Sequence, residues 1–213
     1  MGRRDSGRGR RENDLYETPA WVVDALVPFL PPVQGYVWEP AAGKGRIMDA
    51  LEAHRIAICG TDIVAYPKGL ILYDNFLTSA APPLVDERLA GIISNPPYSE
   101  ADAFIARALA FVAPTRGFVA MLLPSDFDAA QSRAPLFGDC PQFCKRITLR
   151  RRIRWFDGPV RCIHCDGTGK TEGEARCAPC RGRGWRKPSP SENHAWMIWD
   201  YTHSGPATLE YAP

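Results

Sequence analysis

The sequence contains no run of about 18 or more apolar residues, which excludes a conventional membrane-spanning helix. Its first residues are rich in Arg and Gly and lack the apolar stretch of a secretory signal, so we expect a cytoplasmic protein without a membrane partner. The seven cysteines are an odd number, and four of them form two Cys-x-x-Cys pairs. This pattern favours metal ligation in a reducing compartment over a disulfide framework.

The chain of 213 residues is long enough to bury one hydrophobic core, with room for a small insertion. Residues 1–13 have too few apolar side chains to offset the entropy of folding, so we predict a disordered basic tail there. We expect one main domain over residues 14–213, interrupted at residues 158–187 by an insertion rich in Cys and Gly.

The net charge of +2 hides an uneven distribution of charged residues. Residues 145–187 hold 13 Lys and Arg against four acidic residues, whereas the rest of the main domain is acidic. A basic segment on an acidic body favours a polyanionic partner, although a solvated basic face would give the same pattern.

Strand-like and helical segments alternate along the main domain, which predicts an α/β fold with a mostly parallel sheet. Short buried runs such as residues 117–123 are typical of central parallel strands. The predicted strands are residues 35–39, 56–62, 91–94, 117–123, 147–156 and 195–201, and the predicted helices are residues 18–30, 46–54 and 101–112.

A glycine-bearing turn joins the first predicted strand to a helix. Gly43 and Gly45 let the backbone approach a ligand at a helix N-terminus. The third glycine of the dinucleotide pattern is replaced by Met48, and Glu39 at the strand end would repel a pyrophosphate but suit a cationic sulfonium with an α-amino group. Asp62 follows Gly43 by 19 residues, which suits a ribose contact, although a strand-end cap is the alternative.

The predicted buried strand at residues 91–94 leads into Asn95-Pro96-Pro97-Tyr98. An exocyclic amine is a poor nucleophile because its lone pair is delocalised, and acceptors at both of its N–H groups would favour the reactive geometry. The Asn95 side-chain oxygen and the Pro96 carbonyl can accept those hydrogen bonds, while Tyr98 can stack on an extruded base. The alternative for this segment is an ordinary Pro-Pro turn.

These motifs together resemble those of the amino-methyltransferases, and most closely the small adenine-N6 methyltransferases of phages and prophages. Residues 39–45 resemble motif I, residues 16–19 motif X, residues 75–77 motif III, and residues 194–200 the last core strand of that group. The resemblance implies a Rossmann-like class I fold, with a mostly parallel seven-stranded sheet and helices on both faces. It also implies a site-specific enzyme that uses S-adenosylmethionine to methylate the N6 amine of adenine in double-stranded DNA, as a monomer or weak dimer.

The resemblance assigns the catalytic role to Asn95, Pro96, Pro97 and Tyr98. Motif III usually begins with Asp, but here Asn75 stands in that place and Asp74 precedes it, so either could face the cofactor adenine. The residues expected to bind the cofactor are Tyr16, Thr18, Pro19, Glu39, Pro40, Ala41, Gly43, Gly45, Asp62, Ile63, Asn75 and Phe76.

Other targets stay open because related catalytic loops serve different substrates. The loop also resembles those of release-factor glutamine methyltransferases and of some rRNA guanine-N2 methyltransferases. An RNA base, adenine-N6 or guanine-N2, or a protein glutamine is therefore the alternative substrate. A non-catalytic zinc protein that binds nucleic acid is the weaker alternative. The order of the motifs, their short spacing and the ending at residues 194–200 favour DNA adenine.

The insertion contains two copies of Cys-x-x-Cys-x-Gly-x-Gly, which resemble half of the cysteine-rich region of DnaJ-type chaperones. We expect Cys162, Cys165, Cys177 and Cys180 to hold one structural Zn²⁺, because four thiolates leave no open position. His164 is expected to be a bystander.

Arginines on both sides of the cysteines suggest a zinc-stapled element that holds the phosphate backbone beside the active-site mouth. The alternative is a loop that only stabilises the fold. The candidate nucleic-acid-binding residues are Arg150, Arg151, Arg152, Arg154, Arg181, Arg183 and Arg186.

Overall fold

We analysed a computed structural model, which describes residues 16–66, 71–84, 86–155, 159–171, 173–186 and 192–212. The predicted tail at residues 1–13 lies outside the described residues, as do Phe156 at the end of one predicted strand and both ends of the predicted insertion.

The described residues form a large sheet, a small separate ribbon and three α-helices. The large sheet contains β1 (Tyr36–Glu39), β2 (Ile58–Asp62), β3 (Ile71–Tyr73), β4 (Leu89–Ser94), β5 (Phe118–Pro124), β6 (Phe143–Thr148), β9 (His194–Asp200) and β10 (Thr208–Tyr211). The ribbon contains β7 (Val160–Arg161) and β8 (Trp185–Arg186). The helices are α1 (Ala20–Asp24), α2 (Arg46–Ala53) and α3 (Ala101–Val112), with short 3₁₀ turns at Val27–Phe29, Phe127–Ala129 and Gln131–Leu136.

The strand order of the large sheet is β10-β6-β9-β5-β4-β1-β2-β3. Strand β9 is antiparallel to β5 and β6, and the other neighbouring pairs are parallel. This arrangement confirms the predicted α/β fold with a mostly parallel sheet. The sheet has eight strands in the described residues, whereas seven were expected, because β10 adds an outer strand beside β6.

Side chains on the two faces of the sheet enter two separate hydrophobic clusters. In β1, Val37 packs on the side of α1 and α2, and Trp38 packs on the side of α3. Three tryptophans are fully buried, and each indole N–H finds an acceptor, as buried polar groups require. Trp38 donates to the Thr61 hydroxyl, Trp196 to the Val22 carbonyl and Trp199 to the Leu136 carbonyl. Helices therefore cover both faces, as predicted.

Two predicted boundaries were wrong. The helix expected at residues 18–30 ends at Asp24, because the ring of Pro28 would clash with the carbonyl four residues earlier in a continuous helix. The strand expected at residues 147–156 lies at Phe143–Thr148. It ends there because its partner β9 begins at His194, so the arginines that follow have no strand to pair with.

Strand β1 lies where the chain changes its direction across the sheet. β2 and β3 are added on one side of β1, and β4 and β5 on the other side. Ligands bind at such switch points, outside the carboxyl ends of the parallel strands. None of the helices in the described part of the chain has the length and apolar character needed to cross a membrane.

Candidate active site and metal centre

A cavity that is open to solvent lies beside the carboxyl ends of β1, β2 and β4. Many residues expected to bind the cofactor or to catalyse line it, although they come from distant parts of the sequence. These residues are Tyr16, Thr18, Pro40, Ala41, Gly43, Asp62, Ile63, Asn75, Phe76, Asn95 and Pro97. The switch point therefore gathers the predicted motifs around one space.

The glycine turn adopts a backbone that other residues rarely adopt. Gly43 has φ 52° and Gly45 has φ 78°, both in the left-handed region. Gly45 immediately precedes α2, so the turn directs the helix N-terminus toward the cavity side of the sheet. The backbone N–H of Gly43 donates to Asp62 Oδ2 at 2.8 Å, which ties the turn to the end of β2.

Glu39, at the end of β1, is fully buried. Its Oε1 accepts hydrogen bonds from the Ser94 hydroxyl at 2.6 Å and from the Ala41 N–H at 3.3 Å. Its Oε2 is buried and has no hydrogen-bond partner among the described residues. Burial raises the pKa of this carboxyl from 4.5 to about 8, although the hydrogen bonds from Ser94 and Ala41 oppose the shift. Such a group would gain from a cationic partner.

Asp62 both caps a strand and faces the cavity. Its Oδ1 accepts from the Val64 N–H at 2.9 Å, which is the strand-end cap considered as the alternative role. The same side chain lines the cavity beside Ile63. Because each carboxylate oxygen can accept more than one hydrogen bond, the capping role leaves Asp62 able to accept from a ribose hydroxyl.

Asn95 is held in one orientation by the segment that precedes α1. Its Nδ2 donates to the Tyr16 carbonyl at 3.1 Å and to the Thr18 hydroxyl at 3.2 Å. Because both donor bonds point toward this segment, the side-chain oxygen is left to accept a hydrogen bond from another group. The loop and the distant Tyr16–Thr18 segment therefore form one unit, which sequence reasoning did not foresee.

Four aromatic rings form a chain that begins in the Asn95–Tyr98 loop. Tyr98 lies 5.9 Å from His194, His194 lies 5.2 Å from Trp155, and Trp155 lies 5.6 Å from Tyr16, between ring centroids. Burial lowers the pKa of His194 to about 4, so the ring is neutral at physiological pH. This packing joins the start of β9 to the loop, and no sequence motif indicated it.

The segment after β3 presents Asn75, and not Asp74, among the residues that line the cavity. Asn75 Oδ1 accepts from the Leu77 N–H at 3.1 Å, which closes a local turn. Arg107 of α3 holds the same segment by donating to the carbonyls of Phe76, at 2.7 Å, and Ser79. Arg107 belongs to no recognisable sequence motif, so its role in holding this segment was not predicted.

Some predicted site residues lie outside the cavity lining, and other lining residues were missed. Pro19, Glu39, Gly45, Pro96 and Tyr98 support or flank the cavity without lining it. The lining residues that were not predicted are Glu17, Ala42, Arg46, Ile47, Tyr66, Leu77, Glu100 and Phe104. Glu100 and Phe104 could have been found, because a helix that follows the catalytic loop must present its first turn to the same space.

The four cysteine thiols of the insertion form a compact buried cluster. Their sulfur atoms all lie within 4.8 Å of one another. The Cys162–Cys177 and Cys165–Cys180 sulfur distances are 3.9 and 3.7 Å. A tetrahedron with Zn–S bonds of about 2.3 Å has edges of about 3.8 Å, so the arrangement fits Zn²⁺.

Backbone N–H groups complete the surroundings of two of these sulfurs. Gly169 N–H donates to Cys165 Sγ and Gly184 N–H to Cys180 Sγ, each at 3.3 Å. Such bonds stabilise thiolate charge, and a set of four thiolates leaves no position for a reacting water. The chemistry of this donor set is therefore that of a closed structural site.

The candidate nucleic-acid-binding arginines have different surroundings. Arg150 donates to the Ala212 carbonyl at 2.6 Å, Arg151 lies 4.7 Å from the Trp21 ring, and Arg152 donates to Asn193 at 2.9 Å. Arg151, Arg152 and Arg154 line a second groove, which shares Arg46 and Thr18 with the candidate active-site cavity. The arginines near the zinc cluster, Arg181, Arg183 and Arg186, are exposed.

No protein-family model matches the chain, and no curated protein sequence matches it. Among solved structures, a modification subunit ascribed to a type I restriction enzyme of Vibrio vulnificus is 14% identical, with a TM-score of 0.53 over 92% of this chain and 46% of that one. A dimethyladenosine transferase of Plasmodium falciparum is 11% identical, with a TM-score of 0.47 over 87% of this chain and 62% of that one. A protein of Pyrococcus horikoshii described as an RNA methyltransferase is 10% identical, with a TM-score of 0.47 over 91% of this chain and 90% of that one.

The likeness to the restriction-enzyme subunit shows the Rossmann-like fold of the chain and nothing about its substrate. The chain spans less than two thirds of the length of that subunit and of the Plasmodium enzyme. The predicted fold is thus confirmed, and the activity is a matter for proposal.

Replacing Glu39 by Gln should change how stability depends on pH. Between pH 4.5 and about 8 the unfolded carboxyl ionises while the buried one keeps its proton, so the native chain loses stability as pH rises through this window. We expect Glu39→Gln to match the native chain below pH 4.5 and to gain stability above it, by at most roughly 4 kcal/mol near pH 8. Denaturant titrations from pH 4 to 9 measure this difference. Glu52→Gln, at an exposed position of α2, is the control, and a difference that does not vary with pH would contradict the role of Glu39 burial.

Zinc analysis of the purified chain should find one equivalent of metal. We expect Cys177→Ser to lose that equivalent, because three thiolates bind Zn²⁺ far more weakly than four, and Cys140→Ser to keep it. Cobalt substitution should give the absorption of a tetrahedral thiolate site in the native chain and in Cys140→Ser, but not in Cys177→Ser. Equal metal content in both variants would show that the cluster does not hold the metal.

Proposed function

We propose that the chain is an S-adenosylmethionine-dependent methyltransferase that methylates the N6 amine of adenine in DNA. The observation that carries the proposal is the orientation of Asn95. Its amide donates to Tyr16 and Thr18, which directs its acceptor oxygen away from them, at the edge of a cavity built from cofactor-type motifs.

The cavity has the features that this cofactor requires. The unpartnered Glu39 Oε2 is a buried acceptor that the α-amino group of the cofactor would satisfy, because a nearby cation favours the ionised carboxylate. Asp62 at the end of β2 would accept from the ribose hydroxyls, and Asn75 and Ile63 would border the adenine ring. When bound, S-adenosylmethionine would supply a methyl group on a sulfonium, with a neutral thioether as the leaving group.

The loop would prepare the amine for attack. The Asn95 oxygen and the Pro96 carbonyl would each accept one N–H of the target amine, which favours a pyramidal nitrogen with an available lone pair. The nitrogen would then form a bond to the methyl carbon as the carbon–sulfur bond breaks, and one amine proton would leave to water. Because the methyl donor is already activated, positioning supplies much of the rate.

Tyr98 would stack on the extruded base. The packing of its ring against His194, which Trp155 supports from the other side, limits the positions that the tyrosine ring can take. A base cannot reach the cavity while stacked in a duplex, so extrusion precedes transfer, and an aromatic face offsets part of its cost.

DNA adenine is favoured over the alternative targets by the motif order, their spacing and the last core strand, which we identified from the sequence. The groove beside the cavity has a small basic excess, which supports a polyanionic substrate more than a protein glutamine. Its charged lining residues are Arg46, Arg151, Arg152 and Arg154 against Glu17, Asp24 and Asp49. An RNA base, adenine-N6 or guanine-N2, is the second candidate substrate, since a basic groove serves either nucleic acid.

The zinc site would be structural, and its reduced thiols support the cytoplasmic location that we propose. We further propose that the main domain at residues 14–213 acts as a monomer or weak dimer, with the insertion at residues 158–187 as an accessory element.

Methyl transfer with tritiated S-adenosylmethionine tests the reaction. Offered DNA, RNA and protein separately, the chain should label DNA, and nucleoside analysis should find N6-methyladenine. Label in guanine or in protein would refute the proposed target, and the absence of cofactor binding by calorimetry would favour the non-catalytic zinc protein.

Asn95→Ala should retain cofactor affinity within a few-fold and lose turnover by about 10²–10³-fold, as the loss of one well-placed polar contact to the reacting group does in other enzymes. Asn95→Asp keeps an acceptor oxygen and should retain more activity than Asn95→Ala. Single-turnover kinetics and equilibrium cofactor binding measure the two effects. Gln34→Ala, which removes an exposed amide outside the cavity lining, is the control, and normal turnover of Asn95→Ala would disprove the catalytic role.

A further inference from the structure

The zinc element consists of two halves that repeat the same structure with an offset of 15 residues. In the first half the Cys162 N–H donates to the Gly184 carbonyl at 2.8 Å, and in the second the Cys177 N–H donates to the Gly169 carbonyl at 2.9 Å. Gly169 and Gly184 each lie where an added Cβ would meet the backbone of the opposite half, at 2.4 and 2.2 Å. The halves therefore close on each other with near two-fold symmetry.

Each half has an arginine directly before its first cysteine, and the two arginines have the same structural role. Arg161 Nε donates to the Asp166 carbonyl at 2.9 Å, and Arg176 Nε donates to the Arg181 carbonyl at 2.8 Å. The arginine at this position of each half thus supports the turn that follows its Cys-x-x-Cys pair.

The residue directly after the second cysteine of each pair differs between the halves. The residue in the second half is the less favourable one for the stability of the turn. Asp166 forms an ion pair with Arg161 at 3.1 Å, whereas its equivalent, Arg181, lies beside the like-charged Arg176. Both residues have a left-handed backbone, with φ 45° for Asp166 and 54° for Arg181. Asp is among the residues that tolerate this conformation best, and Arg is not. The backbone conformation and the neighbouring charge therefore both disfavour an arginine side chain at position 181.

Three further positions differ between the halves. The Thr168 hydroxyl donates to the Cys165 carbonyl at 2.6 Å, and Arg183 Nε donates to the equivalent Cys180 carbonyl at 3.1 Å. A threonine thus suffices for the structural contact. The equivalent of Lys170 is Trp185, which is 51% exposed, and the equivalent of Thr171 is Arg186.

The two halves also differ in their balance of basic and acidic residues. Residues 175–186 contain four arginines and no acidic residue, whereas residues 160–174 balance their basic residues with acidic ones. Arg176 has its equivalent in Arg161, but the first half forms the same structure without equivalents of Arg181, Arg183, Arg186 or Trp185, so the scaffold does not require these four residues. Their presence on one half calls for a function outside the fold.

We propose that the second half of the zinc element is a nucleic-acid-binding surface, formed by Arg181, Arg183, Arg186 and Trp185, and that the first half is its structural counterpart. The arginines would contact backbone phosphates, and the exposed indole would stack on an unpaired base. The proposal rests on the proposed function in taking the substrate DNA strand as the partner, and it names the surface that would hold that strand.

The repeat suggests a test variant in which the second half carries the residues of the first half. The replacements Arg181→Asp, Arg183→Thr, Trp185→Lys and Arg186→Thr give the second half the residues of the first, which already fold in this chain. Zinc content and S-adenosylmethionine binding should therefore remain unchanged. A control of equal net charge change, Lys170→Glu with Thr171→Glu, alters the first half only.

Binding of the full chain to DNA oligonucleotides, in duplexes with an unpaired adenine, should weaken at least about 10-fold in the repeat-swap variant. The slope of log affinity against log salt should become shallower by about 2 to 3, as the loss of three phosphate contacts requires. Trp185→Ala alone should weaken binding several-fold with no change of slope. The control variant should bind nearly as the native chain does.

Unchanged DNA affinity and salt slope in a zinc-loaded swap variant would overturn the proposal. So would an equal loss in the control, which would indicate a general charge effect, or competition by polyglutamate as strong as by DNA. A loss with RNA alone would retain the surface for nucleic acid but reject DNA as its partner. These binding measurements need no turnover, so they stand apart from any failure of the proposed methyl transfer.

Discussion

The hydrogen bond from the Ser94 hydroxyl to the buried Glu39 carboxyl, at 2.6 Å, joins the carboxyl ends of β1 and β4. The glycine turn follows Glu39 directly, and the Asn95 loop follows Ser94 directly. β1 and β4 are paired along the sheet, and this contact extends their connection to the point where the turn and the loop begin. It also leaves the second carboxyl oxygen without a hydrogen-bond partner among the described residues, and a cationic group at that oxygen would satisfy it.

Much of the architecture could be predicted because it follows from local patterns. The run at residues 117–123 is apolar throughout, as a strand buried on both faces must be, and α3 was predicted with its observed bounds. The cofactor-type motifs are contiguous in sequence, so their residues could be named before their positions were known. Parallel strand order then brings them together without further information.

Features that depend on contacts between distant segments could not be predicted. The Asn95 hydrogen bonds to Tyr16 and Thr18 span nearly 80 residues. No sequence pattern indicates the hydrogen bond from Arg107 to the Phe76 carbonyl. The end of α1 has a local cause, because Pro28 would clash with the preceding turn of a continuous helix. The helical spacing of the apolar residues around it nevertheless predicted a longer helix. Strand β10 is exposed along most of its length, so it lacks the alternation of apolar residues that marks a half-buried strand.

The two-fold relation within the zinc element has a consequence for how the site assembles. One half supplies two thiols and a glycine edge that the other half covers, so neither half can enclose a metal ion without the other. Positions outside the four thiols and the paired glycines carry no such requirement, and at those positions residues 175–186 differ most from residues 160–171.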